Sequence, residues 1–320
     1  MRVTVSPGVL AWARERSGVE AGDLERRFPN LAGWESGEGS PTLKQLETFA
    51  RATHTPIGFL FLEEPPEEKV PIPDYRTMGG SGVGRPSADL LDTIFLCQLR
   101  QEWYREFALV TGEDQVGFVG TLDTSTPVPE AAANIRTSLR FGAEERGQSW
   151  SEALKLLVDR AEEAGTLVMT SGVVGSNTHR KLDPHEFRGF ALVDSLAPLV
   201  FVNGADTKAA QLFTLMHELA HLWLGGAALD DASPDTPTGG SSERWCNEVA
   251  AEVLAPLDDV MAEFDKRQPL TSELEKLAKH FRASTLVILR RLYDARFLGD
   301  WDTYRSAYDA ELHRVLEILA

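Results

Sequence analysis

Apolar positions recur at helical spacing through the first part of the chain. Val9, Leu10 and Ala13 predict a helix that starts at Ser6 or Pro7 and runs through Arg16. A second is predicted over Glu20–Phe28, and a brief third over Asn30–Gly37, ended by its glycine. Thr42 caps a fourth, which carries Leu43, Leu46, Phe49 and Ala50 on one face. This small helical module, with a helix-turn-helix look, is assigned to residues 1–66. Prolines, glycines and like charges in EEPPEEKVPIPDYRTMGGSGVG leave little to bury, and a linker is placed at 67–86.

The second domain is assigned to 87–320. The run IFLCQLRQEWYREFALV predicts a strongly amphipathic helix over 88–109, followed by helices over Pro129–Leu139 and Trp150–Gly165. The period then changes. Thr166–Met169, Gly189–Val193 and Pro198–Val202 are short, β-branched-rich runs that read as strands. A helix follows from Thr207 to Leu224, stopped by Gly225 and Gly226, and a polar loop extends to about residue 240. Helices resume over Ser242–Leu254, Thr271–Phe281 and Ser284–Phe297. The fold class expected is α+β, with an all-helical N-terminal domain, a mixed domain with a small sheet, and a helical, helix-turn-helix-like C-terminal segment.

Charge narrows the partners. A formal net charge of -17 opposes a surface that embraces nucleic acid or an anionic membrane. Residues 1–66 hold seven basic residues against nine acidic ones, and Asn30–Gly37 offers Asn30 as its one amide and no Arg, Lys or Gln to read base edges. Protein docking is therefore favoured over DNA binding for this module. Cys97 and Cys246 form neither a disulfide framework nor a C-x-x-C metal site, which fits a reducing compartment. The N-terminus has no secretory apolar region and no run of 18 apolar residues occurs, so a soluble, cytoplasmic protein is expected.

The segment HELAH carries the candidate chemistry. His217 and His221, four residues apart on a helix, project from one face and can converge on one cation. Glu218 is swung about 100° around the axis, toward a water on the metal, as general base. A catalytic zinc needs a third protein ligand. A histidine six residues past His221 is excluded, because Ala227 stands there. The downstream helix offers Glu243, Glu248 and Glu252. Glu243 shares its face with Asn247, Ala250, Ala251 and Leu254, whereas Arg244, Glu248 and Glu252 form a charged stripe suited to solvent. Glu243 is thus the expected ligand, and Asn247 the expected acceptor for the outer nitrogen of a ligating histidine. Cys246 reads as a small buried packing residue. The strand Pro198, Leu199, Val200, Phe201 and Val202 is a candidate sheet edge for an extended substrate. One zinc per chain is expected, although two histidines and a carboxylate also suit Mn2+ or Fe2+.

The residues resemble the ImmA/IrrE family of metallo-endopeptidases in its larger form, with an N-terminal XRE-type helix-turn-helix. The resemblance runs through SPGVLAWARERSG, WESGEGSPTLKQLETFA, PIPDYRT, GVVGSNTHRKLDPHEFRGFALVD, APLVFVNGADTKAAQLFTLMHELAHLWLG and ERWCNEVAAEVLAP. It implies a zincin-like peptidase domain, zinc ligands at His217, His221 and Glu243, and a catalytic glutamate at Glu218. It also implies cleavage of a cognate XRE-type repressor, releasing genes of stress response or mobile-element transfer, and draws His179 in as a candidate oxyanion donor. The competing reading is a helix-turn-helix regulator or sensor whose metal is structural and which cuts no peptide.

Overall fold

The computed structural model describes residues 2–67, 86–225 and 241–319. Residues 68–85 of the expected linker, with PIPDYRT, and the polar loop from 226 to 240 lie outside the described residues. The architecture is α+β, and the chain divides into two compact units.

The first unit holds the described residues up to 67 together with 86–96 and 174–181. Its helices are α1 (Pro7–Arg16), α2 (Ala21–Arg27), α3 (Leu31–Glu35) and α4 (Leu43–Ala52), followed by a short 3-10 turn at Ile57–Phe61. Thr42 starts α4 with a reciprocal cap: its side chain accepts from the Gln45 N–H, and its own N–H donates to the Gln45 side chain at 2.8 Å. The core is Leu10, Leu24, Leu31, Leu46, Leu60 and the edge-to-face pair Phe28 and Phe49. Helix α5 (Ala88–Thr111) enters this unit with its first turns. The polar segment that carries His179 is a strand, β3 (Asn177–Lys181), paired with β2 (Val173–Val174). Arg180 on β3 is bonded to Asp89 at 2.6 Å and Asp92 at 2.7 Å, fastening the hairpin to α5.

The one-sided character expected of α5 does not hold. Leu90, Leu91, Ile94 and Cys97 are buried, yet Leu99, Trp103 and Val110 are exposed, so apolar residues lie on more than one face.

In the second unit, β1 (Leu167–Ser171), β4 (Gly189–Leu192) and β5 (Leu199–Asn203) form a three-stranded sheet in the order β1-β5-β4. Strand β5 runs parallel to β1 and antiparallel to β4, and every residue of it is buried. The expectation that Pro198–Val202 forms a sheet edge is therefore corrected: this strand is central. Its composition explains the position, since a strand covered on both faces is a continuous apolar run without alternation. Val200 and Val202 join the helical core, while Phe201 stacks on Phe190 at 5.1 Å on the other side.

Helices α6 (Val128–Leu139), α7 (Trp150–Glu163), α8 (Lys208–Leu224) and α9 (Ser241–Leu254) complete this core. Thr207 caps α8 by accepting from the Ala210 N–H. At its other end the carbonyls of Leu222 and Trp223 accept from the N–H groups of Gly120 and Leu122, at 3.1 and 3.0 Å. Gly225 ends the helix with φ +64°, and a Cβ there would stand 2.5 Å from Gly120 Cα. Gly189 on β4 lets α8 lie close against the sheet. A Cβ on it would meet Thr214 Cγ2 at 2.5 Å, the Phe201 carbonyl oxygen at 2.7 Å and Glu218 Cγ at 3.3 Å.

After α9, the helices α10 (Leu257–Glu263), α11 (Leu270–Phe281), α12 (Thr285–Asp294) and α13 (Trp301–Leu319) pack around Leu277, Phe281, Ile288 and Leu292. Helix α12 stops before Phe297, and α10 and α13 add to the helices expected. Arg146, 1% exposed, donates to the carbonyls of Val253 at 2.7 Å, Leu254, and Phe281 at 3.0 Å, closing the ends of α9 and α11 together. No helix among the described residues is long and apolar enough to cross a membrane.

Because the neighbours of Gly189 include backbone, Gly189→Ala is expected to destabilise the fold by about 1–3 kcal/mol. A urea midpoint equal to that of the parent would show that α8 can move away from β4 at no cost.

Candidate metal centre

Helices α8 and α9 bring three side chains to one point. His217 Nε2 lies 3.1 Å from His221 Nε2. Glu243 Oε2 is 3.4 Å from the first and Glu243 Oε1 2.9 Å from the second. These ligand atoms all fall within 4.8 Å of one another. Four-coordinate zinc with bonds of about 2.0–2.1 Å places neighbouring donors about 3.3 Å apart, close to the separations between these two imidazoles and the carboxylate group. The side chains keep 12%, 13% and 16% of their surface exposed, so the cluster is largely but not wholly buried.

The electrostatics fit a cation. Burial by itself raises the Glu243 pKa, but hydrogen bonds with His217 and His221 outweigh it and hold the carboxyl well below the usual range. Burial likewise lowers the pKa of His221, yet hydrogen bonds with Cys246 and Glu243 and the charge of Glu218 hold the imidazole well above its ordinary value. Glu218 is 7% exposed and lies between α8 and β4, beside Gly189.

The other glutamates on α9 are placed differently. Glu248 pairs with Arg244 at 3.5 Å on the outer face. Glu252 does not belong to a solvated stripe: it is buried in an ion pair with Arg291, which also donates to the Ala255 carbonyl at 3.0 Å. Glu252 needs no cation from solvent because α12 brings one.

Asn247 is exposed and hydrogen-bonds to neither histidine, so the expected contact to the outer ring nitrogen is corrected. Cys246, expected as a small packing residue, is fully buried in the core of the second unit. His179 sits exposed on β3, in the other compact unit, with its N–H donating to the Asn177 side chain at 3.1 Å, and is not among the three clustered groups. Tyr293 packs against Tyr304 at 4.6 Å among the C-terminal helices.

Residues 161–293 match the Peptidase_M78 family, described as the IrrE N-terminal-like domain. The match starts in α7 and ends in α12, and so contains the sheet, α8, α9 and all three clustered side chains. It supports the ImmA/IrrE family and a metallopeptidase of that type. A metal ion belongs to such a domain, and the two imidazoles and carboxylate fit one. No curated protein matches the chain.

Two outcomes are expected of this metal centre. Glu243→Gln weakens zinc binding by about a hundredfold or more, beyond the loss typical of outer partners. Glu252→Ala leaves zinc affinity unchanged but costs about 3 kcal/mol of stability by stranding Arg291. Chelator competition and urea unfolding read the two effects separately. A proton and the cation compete for His221, whose pKa is raised by its hydrogen-bond partners and by the charge of Glu218. Affinity should fall as pH drops below that raised pKa, and calorimetry at neutral pH in buffers of different ionisation enthalpy should show protons released. Buffer-independent heats would contradict this.

Proposed function

We propose that the chain is a zinc-dependent endopeptidase of zincin-like layout whose substrate is a protein, a cognate XRE-type repressor. The observation that supports the reading is the gathering of His217, His221 and Glu243 ligand atoms within 4.8 Å of one another, on a helix whose next residue, Glu218, lies close to Gly189 of the edge strand β4. A bound zinc supplies Lewis acidity toward a peptide carbonyl and lowers the pKa of water to near 7. His217, His221 and Glu243 hold it. Glu218 takes the proton of the attacking water and passes it to the leaving amine.

Strand β4 offers the substrate a backbone. Asn203 N–H donates to the Arg188 carbonyl at 2.7 Å, so the antiparallel alternation turns the peptide groups of Phe190 and Leu192 toward β5 and those of Gly189 and Ala191 away from it. An extended peptide pairing with Gly189 and Ala191 lies across the same surface as Glu218. Recognition by main-chain bonds makes the site tolerant of substrate sequence.

The N-terminal module, read as an XRE-type helix-turn-helix at 1–66, serves to dock protein. Leu31 and Trp34 of α3 are buried, and Glu35 is tied to Arg14 at 2.8 Å, leaving this short helix no cationic side chain for a base edge. Removal of the repressor frees genes of stress response or mobile-element transfer. Cys97 and Cys246 are unpaired, which suits a reducing cytoplasm.

Glu218→Gln should retain zinc and lose cleavage of a co-expressed XRE-type repressor, with fragments read by mass analysis. If the metal-loaded parent and the variant leave every such protein intact, the reading fails in favour of a regulator with a structural metal.

A further inference from the structure

From Cys97 onward, helix α5 belongs to the second unit, and it is held there by its less apolar side. Gln101 donates to the carbonyls of Leu192 and Ala197, both at 2.8 Å, and Arg105 pairs with Asp194 at 3.0 Å. Cys97 and Ala108 are buried. Two positions beyond each of these four stands a large apolar residue: Leu99, Trp103, Phe107 and Val110. Two positions are about 200° of helix, so the second row lies on the opposite face. It is exposed there, Leu99 by 68%, Trp103 by 69%, Phe107 by 47% and Val110 by 87%, with Leu109 at its border by 58%. The helix thus turns an amide and a guanidinium inward and its bulkiest side chains outward, the reverse of the usual arrangement. The Trp103 and Phe107 rings stack at 6.3 Å and join the row into a continuous ridge.

We propose that this outer face of α5 is where two copies of the chain pair. An aromatic side chain buries about 150–250 Å² when fully covered, so at these fractions the five residues together leave on the order of 600 Å² of apolar surface, the upper end for a monomer. Two such faces closed on each other remove roughly 1,200 Å² from water, the lower bound of a specific interface, before the stems of the bordering charged residues are added. The shape suits a copy of itself. A row at four-residue spacing leaves grooves of the same spacing, so the ridge Leu99, Trp103, Phe107 fits the groove beside it on a second chain, with the axes crossing at about 50°. A two-fold contact of this kind uses one patch twice and leaves no further apolar face to cover. The borders are complementary as well: Arg100 flanks the ridge on one side, and Glu102 and Glu106 flank it on the other. A two-fold axis running roughly along the helices sets each Arg100 border against the acidic border of the other copy.

The test is the oligomeric state of the full chain, read by sedimentation velocity and light scattering across concentrations of about 1–300 µM. The parent is expected to pass from one chain to two per particle, with a dissociation constant on the order of 10 µM for an interface of this size. Trp103→Glu puts a charge at the centre of the contact and should weaken pairing by about thirtyfold or more. Leu99→Ser combined with Val110→Ser should weaken it too, and guards against a glutamate variant that fails to fold. Urea midpoints of the variants, taken well below the dissociation constant, should equal that of the parent. A parent that stays a single chain at the highest concentration overturns the proposal, and a lower midpoint for Trp103→Glu then shows that the ridge is covered by its own chain. A dimer that both variants leave as tight as before overturns it as well, by placing the contact elsewhere.

Discussion

Two imidazole nitrogens 3.1 Å apart, with a carboxylate 2.9 Å from one of them, make a cluster that neither helix carrying it would form alone. Its members belong to α8 and α9, so the spacing survives only if both helices are held in place. Much of the second unit does that. Helix α8 is capped by Thr207, stopped at Gly225, bonded at its last carbonyls by Gly120 and Leu122, and seated against β4 at Gly189. Helix α9 is tied near its start by Trp245, whose ring N–H donates to the Thr126 carbonyl at 2.9 Å. At its end Arg136 donates to the Glu252 carbonyl at 2.8 Å, and Arg146 takes the next two. Polar groups at helix ends, which each helix must satisfy in any case, are met here by contacts that also fix the donors of the metal centre.

Much of this was legible in residue spacing. The four-residue interval of the histidines, the apolar face shared by Glu243, and the strand, turn, helix, loop, helix order are local features, and local periodicity reports them. What failed to show depends on neighbours distant in sequence. Glu252 has the i, i+4 spacing of a surface residue, and only the arrival of Arg291 from α12 makes it a buried partner. Strand β5 could be recognised as a strand, but its central place follows from pairing with β1 and β4, which no single run of residues encodes. Asn247 and Cys246 are adjacent, and one position, about 100° of helix, separates the exposed residue from the buried one. The polar composition of Asn177–Lys181 concealed a strand, because its pairing partner is only two residues long.

Arg146 carries a consequence of another kind. Its buried guanidinium gives its hydrogen bonds to backbone carbonyls at the ends of α9 and α11. Arg291 does the same in part, since beside its pair with Glu252 it donates to the Ala255 carbonyl at 3.0 Å. Two guanidinium groups thus act as rivets through main-chain oxygen, and a substitution of the side chains around those carbonyls leaves the acceptors where they are.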